Sequence, residues 1–182
     1  MKITTKTLLI CSLLMFFAAD TYAQMAVGIS YENRSENPTN GFGLHFEKDI
    51  SPLPLIGLNI RLHGSMYSET YSFTLEGVNI EGENEDKTYE IGLGLLGSVS
   101  AGLAVPYAGV GIGYEFFDRE STIIEAASGS DNSFFYYGVV GVGVSAVPFL
   151  RPFIEYRYKG VTSDDFMPSD VGTWAFGVQL RF

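Results

Sequence analysis

Residues 173–182 read Thr-Trp-Ala-Phe-Gly-Val-Gln-Leu-Arg-Phe. Trp174, Phe176, Val178, Leu180 and Phe182 take every second position and are all large and apolar. Ala175, Gly177, Gln179 and Arg181 stand between them and are small or polar. A period of two sends alternate side chains to opposite faces of a strand. One face of this strand must therefore meet something apolar while the other meets something polar. A strand held between lipid and a polar interior satisfies both demands.

The same alternation recurs along the chain. We read strands at residues 26–31, 41–48, 55–73, 88–98, 107–117, 134–146, 153–159 and 173–182. Three of them open on one plan: Pro54-Leu-Ile-Gly-Leu-Asn-Ile-Arg, Pro106-Tyr-Ala-Gly-Val-Gly-Ile-Gly and Pro152-Phe-Ile-Glu-Tyr-Arg-Tyr-Lys. A proline suits the first residue of a strand, where no ladder donor is needed. The repeating unit is a hairpin of about 50 residues, and three to four hairpins are too few for a propeller. Residues 91–114 carry no charge and resemble a membrane-spanning helix by hydropathy alone. Seven glycines there weaken a helix by about 1 kcal/mol each, and Pro106 by about 3 kcal/mol. Two strands joined by a turn at 101–105 fit better. The expected fold is all-β: an eight-stranded antiparallel up-and-down transmembrane β-barrel. About ten residues per strand, tilted by about 40–45°, cross an apolar band of about 25 Å.

The connections alternate in length: 49–53, 101–105 and 147–150 are short, while 32–40, 74–87, 118–133 and 160–172 are longer. Short periplasmic turns and long outer loops are the usual asymmetry of such barrels. It predicts both termini in the periplasm. Lys2 and Lys6 precede an apolar run at 8–19, and Thr21-Tyr22-Ala23 offers a cleavage site. That pattern is expected of a signal peptide over 1–23, leaving 24–182 as the barrel domain. The run of about 12 residues is short for a span of about 20. Cys11 is the sole cysteine and lacks the small residue that precedes an acylated one, so no disulfide framework is expected.

Parity assigns the faces. Val27, Leu44, Leu62, Leu93, Ile112, Val140 and Ile154 point outward with the alternate residues of the last strand. Tyr31, Tyr89, Tyr114, Tyr136, Tyr158 and Trp174 lie near loop ends and are expected to form an outer aromatic girdle. The opposite parity turns His45, Glu47, Arg61, His63, Glu90, Glu115, Glu155, Arg157, Lys159 and Arg181 inward, as a lumenal charge network. Gly92, Gly94, Gly109, Gly111, Gly113, Gly141 and Gly143 share that parity, predicting a smooth wall that charges from the other side reach across. Eight strands enclose an interior just wide enough to be filled by side chains. A polar plug is expected rather than an open pore.

Of 11 Lys+Arg, Lys2 and Lys6 precede the cleavage site, and of 21 Asp+Glu, Asp20 does. The remaining 9 and 20 give a net charge of −11. Segments 32–40, 74–88, 118–133 and 160–172 contribute −1, −4, −3 and −3, which places the whole excess in the outer loops. Such loops can hold divalent cations that bridge anionic lipid, but solvation and mutual repulsion explain them more simply. His63-Gly64-Ser65 is similar to the His-x-Ser pair of lipid A deacylases, yet its strand comes early in the chain and its parity points into the lumen. His45-Phe46-Glu47 likewise suggests no metal site. No phosphate loop or basic patch points to nucleotide or nucleic acid.

The terminal Phe182, with apolar residues at alternate positions before it, resembles the C-terminal assembly signal of outer-membrane barrels. With the eight strands and the alternating connections, the chain resembles the small outer-membrane β-barrel family, including OmpX-like proteins and the OmpA-type membrane domain. The resemblance implies that Trp174, Phe176, Val178, Leu180 and Phe182 address the barrel-assembly machinery. It also implies a place among outer-membrane lipids and lipopolysaccharide. The function expected is structural or surface-interaction: envelope integrity, adhesion or defence, with an extracellular protein partner meeting the acidic loops. The rim of the third strand, at Tyr67, Tyr71 and Phe73, offers strand addition. A narrow channel is the alternative, and a lipid A-modifying enzyme a weaker one. No catalytic residue, cofactor or metal is expected.

Overall fold

Eight antiparallel strands follow one another and close: β1 (Met25–Arg34), β2 (Asn40–Asp49), β3 (Ile56–Leu75), β4 (Ile80–Val99), β5 (Ala104–Ser121), β6 (Gly129–Val144), β7 (Leu150–Val161) and β8 (Asp170–Arg181). Each pairs with its sequence neighbours, and β8 returns to β1 from Ala26↔Arg181 to Arg34↔Thr173. Closure leaves the barrel wall no unpaired edge. The architecture is the eight-stranded up-and-down barrel that the alternation predicts. This computed structural model describes residues 25–50, 56–75, 80–121, 129–145, 149–161 and 170–182, with backbone alone at 71, 73–75, 80–83 and 121. The signal peptide expected over 1–23 lies outside the described residues.

The short-turn end is tight. Ala101 and Ala104 bridge across the β4–β5 turn, and Gly102 takes a φ of 67°. That left-handed value costs glycine nothing and strains other residues. Pro106 and Pro152 are the third residues of β5 and β7, not the first, and each already has a ladder partner, Val142 and Val178. Pro54 lies outside the described residues.

Strand length is uneven, and this departs most from the sequence reading. At about 3.3 Å per residue and a tilt near 40–45°, a ten-residue strand rises about 24 Å and a twenty-residue strand about 48 Å. β1 and β2 have 10 residues each, whereas β3 and β4 have 20 each. The β2–β3 ladder stops at Gly41↔Tyr67 and the β6–β7 ladder at Phe135↔Val161. The β3–β4 ladder runs on to Leu75↔Ile80, β4–β5 to Asn84↔Ser121 and β5–β6 to Arg119↔Gly129. Four strands thus continue past the closed barrel as an open sheet. Residues 80–87, 118–121 and 129–133, expected in loops, are strand. In sequence, Glu81 to Lys87 and Asp118 to Glu120 are polar at both parities, so the alternation that marks a strand between lipid and lumen vanishes there.

Candidate functional site

The sequence pattern places alternate residues inside and outside, and the packing follows it. Outward-facing Ile29, Phe42, Leu93, Val110, Ile112 and Val140 are exposed, while inward-facing neighbours are buried. Between Tyr31, Phe42, Met66, Tyr89, Phe116, Phe134, Tyr158 and Trp174 at one end and the short turns at the other, no outward side chain of the described strands is charged until Lys48. A monomer in water rarely shows one continuous apolar surface of this extent. Tyr31, Tyr89, Tyr114, Tyr136, Tyr158 and Trp174 all stand on this outer face. Trp174 packs on Tyr156 with centroids 4.9 Å apart and stacks on Phe176 at 6.5 Å. Phe176, Val178, Leu180 and Phe182 continue along the same face, with Val178 less exposed than the others.

Inside, three charged tiers cross the bore. Nearest the short turns, Arg61 from β3 donates through Nε to Glu47 of β2 at 2.7 Å and through Nη1 to Glu155 of β7 at 2.5 Å. The Tyr107 hydroxyl donates to the same Glu155 at 2.8 Å. Higher up, Arg157 reaches Glu32 of β1 at 2.6 Å, and Glu32 also accepts from Ser30 at 3.0 Å and from the Tyr67 hydroxyl. At the third tier, Lys159 lies between Glu90 of β4 at 2.6 Å and Glu115 of β5 at 2.7 Å. Arg34 of β1 completes that tier through Glu115 at 3.2 Å and stands 4.7 Å over the Tyr67 ring.

The plug extends beyond the barrel mouth. Asp86 of β4, 1% exposed, accepts two bonds from Arg119 of β5, at 2.7 Å and 2.6 Å. The β1–β2 turn folds over the same mouth: Thr39 donates to the Glu69 carboxylate through its amide at 2.8 Å and its hydroxyl at 3.2 Å. The Ser35 amide ties the turn to β8 by donating to the Gly172 carbonyl at 2.8 Å. Out on the open sheet, Lys87 bonds Glu85 at 3.0 Å, and that hydrogen bond raises the Lys87 pKa.

These contacts correct several expectations. Glu32, Arg34, Asp86 and Arg119, read as loop charges, are inward-facing partners of the plug or its cap. Two acids and two bases sum to zero, so the excess negative charge still lies outside the plug. Parity could have found all four, since Glu32 and Arg34 continue the inward phase of Ser30, Asp86 precedes that of Thr88 and Glu90, and Arg119 follows that of Glu115 and Phe117. Tyr67 is no rim residue: it is 0% exposed and bonded to Glu32. The side chains of Tyr71 and Phe73 lie outside the described residues. Arg181 stands half-buried at the short-turn end of the lumen, near Arg151.

The glycine wall is tiled rather than bare. A Cβ at Gly94 or Gly111 would strike the Tyr137 ring, one at Gly113 the Phe135 ring, and one at Gly141 the Tyr107 ring. Leu96, Phe135, Tyr137 and Val139 form an apolar cluster on this side. The lumen is therefore half charged and half aromatic. A cavity of about 20 Å³ remains near the short turns, beside His45, Arg61, Ser98 and Gln179. It has room for about one water.

The two histidines do not converge. They are cross-strand partners, yet His45 lies over Gly28 of β1 and His63 over Gly92 of β4, on opposite sides of the pair. Ser65 and His63 are both buried in the lumen, and the His63 Nδ1 lies 3.4 Å from the Tyr137 hydroxyl. Among the described residues, no group of three His, Cys, Asp or Glu is arranged to hold a metal ion.

No protein-family model matches the sequence, nor does any curated protein. Solved structures do match. A major outer membrane protein from Thermus thermophilus aligns with a TM-score of 0.71 at 14% identity, covering 88% of this chain and 99% of its own. Neisserial surface protein A aligns with a TM-score of 0.60 at 14% identity, covering 88% and 97%. Ail, the attachment invasion locus protein of Yersinia pestis, aligns with a TM-score of 0.52 at 17% identity, again covering 88% and 97%. The fold is that of small eight-stranded outer-membrane β-barrels.

Proposed function

We propose that the chain is an integral outer-membrane protein that works as a structural and surface-interaction barrel, with its termini in the periplasm and its open sheet outside. One observation carries this reading: a continuous apolar exterior surrounds a lumen closed by side chains, and four strands overshoot that exterior as a sheet. The apolar exterior suits lipid. Arg or Lys on it would cost about 2–4 kcal/mol at mid-bilayer, and none is found there among the described residues. The three charged tiers, the aromatic tiles and the Asp86–Arg119 cap fill the bore, which supports a plug over a conduit. Burial of His63 and Ser65 away from the exterior supports a non-enzymatic role.

The overshooting sheet is the part that meets partners. On β3, the backbone edges from Ser68 to Leu75 have no ladder partner on the β2 side among the described residues. Such edges accept an extra strand from a protein partner through main-chain hydrogen bonds. Two experiments test the proposal. Planar-bilayer recording of the refolded chain is expected to show no stable conductance steps; regular steps would revive the channel. A screen for surface partners, repeated with residues 70–85 replaced by a tight turn, is expected to lose its binders; unchanged binding would remove the open sheet from the account.

A further inference from the structure

The outer face is not uniform. Where β8, β1 and β2 meet, Ile29, Tyr31, Phe42, Phe176 and Val178 line an open groove of about 450 Å³. Its floor is the backbone at Ser30, Gly43 and Gly177, whose side-chain positions face the lumen. At the long-loop end of the groove stands a polar cluster without charge. The Tyr31 hydroxyl donates to Asn40 Oδ1, and Asn33 Nδ2 donates to the same oxygen at 3.2 Å. Asn40 Nδ2 in turn donates to the Thr39 hydroxyl at 3.0 Å. Trp174, the cross-strand partner of Asn33, is 48% exposed beside them.

On β4 and β5 the outward rim is charged, and the turn between β1 and β2 carries the exposed Glu36. β4 and β5 carry Glu85, Lys87, Asp118 and Glu120, and β8 carries Asp170 higher up. The outward positions of β1 and β2 at this end carry hydroxyl and amide groups with the Trp174 indole beside them, so a phosphate brought here would meet no cation from them. A sugar would meet amides and a hydroxyl able to exchange hydrogen bonds with its own hydroxyls, and an indole face for its C–H edges. We propose that this seam seats a glycolipid. Its acyl chain lies in the groove against Ile29, Phe42 and Val178, and its uncharged sugar rests against Trp174, Asn33 and Asn40. The inference rests on the membrane reading above, and it names the lipid class that reading leaves open.

Trp174 is the sole tryptophan of the chain, so its fluorescence reports on the site directly. The folded barrel in zwitterionic detergent is titrated with a glucosyl diacylglycerol and, separately, with a phosphatidylethanolamine of the same acyl chains. A saturable change is expected with the glycolipid, at least about fivefold tighter than with the phospholipid, as two neutral hydrogen bonds would give. Asn33→Leu with Asn40→Leu is expected to erase that preference. Val178→Phe, which fills the groove with another apolar side chain, is expected to weaken both lipids together. Equal affinity of the unaltered chain for the two lipids would overturn the glycolipid seat, as would a preference that survives both changes. A gel mobility difference between unheated and boiled samples separates the outcomes. Its absence in the unaltered chain would count against the membrane barrel itself, while its presence with equal affinities counts against this site alone.

Discussion

Arg61 spans the lumen, and removing its charge is the sharpest perturbation of the plug. It is 5% exposed and lies between Glu47, 9% exposed, and Glu155, 4% exposed. Arg61→Met keeps much of the bulk and removes the guanidinium. Glu47 and Glu155 then lose their nearest cation in a site where water is nearly absent, while Glu155 keeps the Tyr107 hydroxyl at 2.8 Å and Arg157 at 3.5 Å. Breaking a buried ion pair by deleting one partner costs about 3–5 kcal/mol. The ratio of folded to unfolded chain should fall by about a hundredfold to a few thousandfold at 1.4 kcal/mol per decade. The triple change Arg61→Met, Glu47→Gln, Glu155→Gln removes all three charges together. Buried ion pairs replaced whole by uncharged residues are often neutral in effect, so the triple variant should recover most of the loss. Urea titration in detergent or bilayers, followed by Trp174 fluorescence and gel mobility, measures both. A single variant within about 1 kcal/mol of the unaltered chain would refute the reasoning, since a loss that small means water reaches the tier. A triple variant as unstable as the single would refute it too, because the damage would then lie in packing and not in stranded charge.

Three further outcomes follow from the same geometry. Gly111→Val drives a side chain into the Tyr137 ring and should destabilise the barrel by about 1–3 kcal/mol; combining it with Tyr137→Ala should show a coupling energy of at least about 0.5 kcal/mol in a double-mutant cycle by urea titration. Ile112→Arg, in the middle of the apolar exterior, should cost about 2–4 kcal/mol of insertion, whereas Glu85→Arg on the open sheet should leave the folded fraction in bilayers unchanged. Replacing residues 70–85 with a tight turn should leave the heat-dependent mobility shift intact, because the ladders below Tyr67 and Thr88 are untouched.

The parts of this fold that were readable from the sequence are those where two different solvents face one strand. Trp174 to Phe182 alternates because Trp174 and Phe176 look outward while Ala175 and Gln179 look in, and composition records that difference at every second residue. The record stops where both faces are polar. Glu81 to Lys87 has one neutral side chain that is not glycine, Asn84, and nothing in its hydropathy separates strand from loop; only the pairing of Asp86 with Arg119 across β4 and β5 reveals it. The lumenal tiers were partly readable, since parity turns Arg61 and Glu155 the same way. Which acid meets which base depends on the register around the whole circle, and a single chain does not print it. The tiling of Gly94 and Gly111 by Tyr137 is of the same kind: both ingredients stand in the sequence, and the ladder alone brings them together.

The central claim is that the outward face lies in lipid and that the barrel ends where the open sheet begins. Spin labels placed one at a time at residues 108–120 of β5, in a chain with Cys11 replaced or removed, test it in one scan. Collision rates with oxygen, which dissolves in lipid, and with a water-soluble nickel chelate are read at each position in bilayers. The account predicts oxygen maxima at Val110, Ile112, Tyr114 and Phe116, minima at the residues between, and a switch to chelate access from Asp118 onward. Chelate reaching Ile112, or oxygen collisions without a period of two, would contradict it.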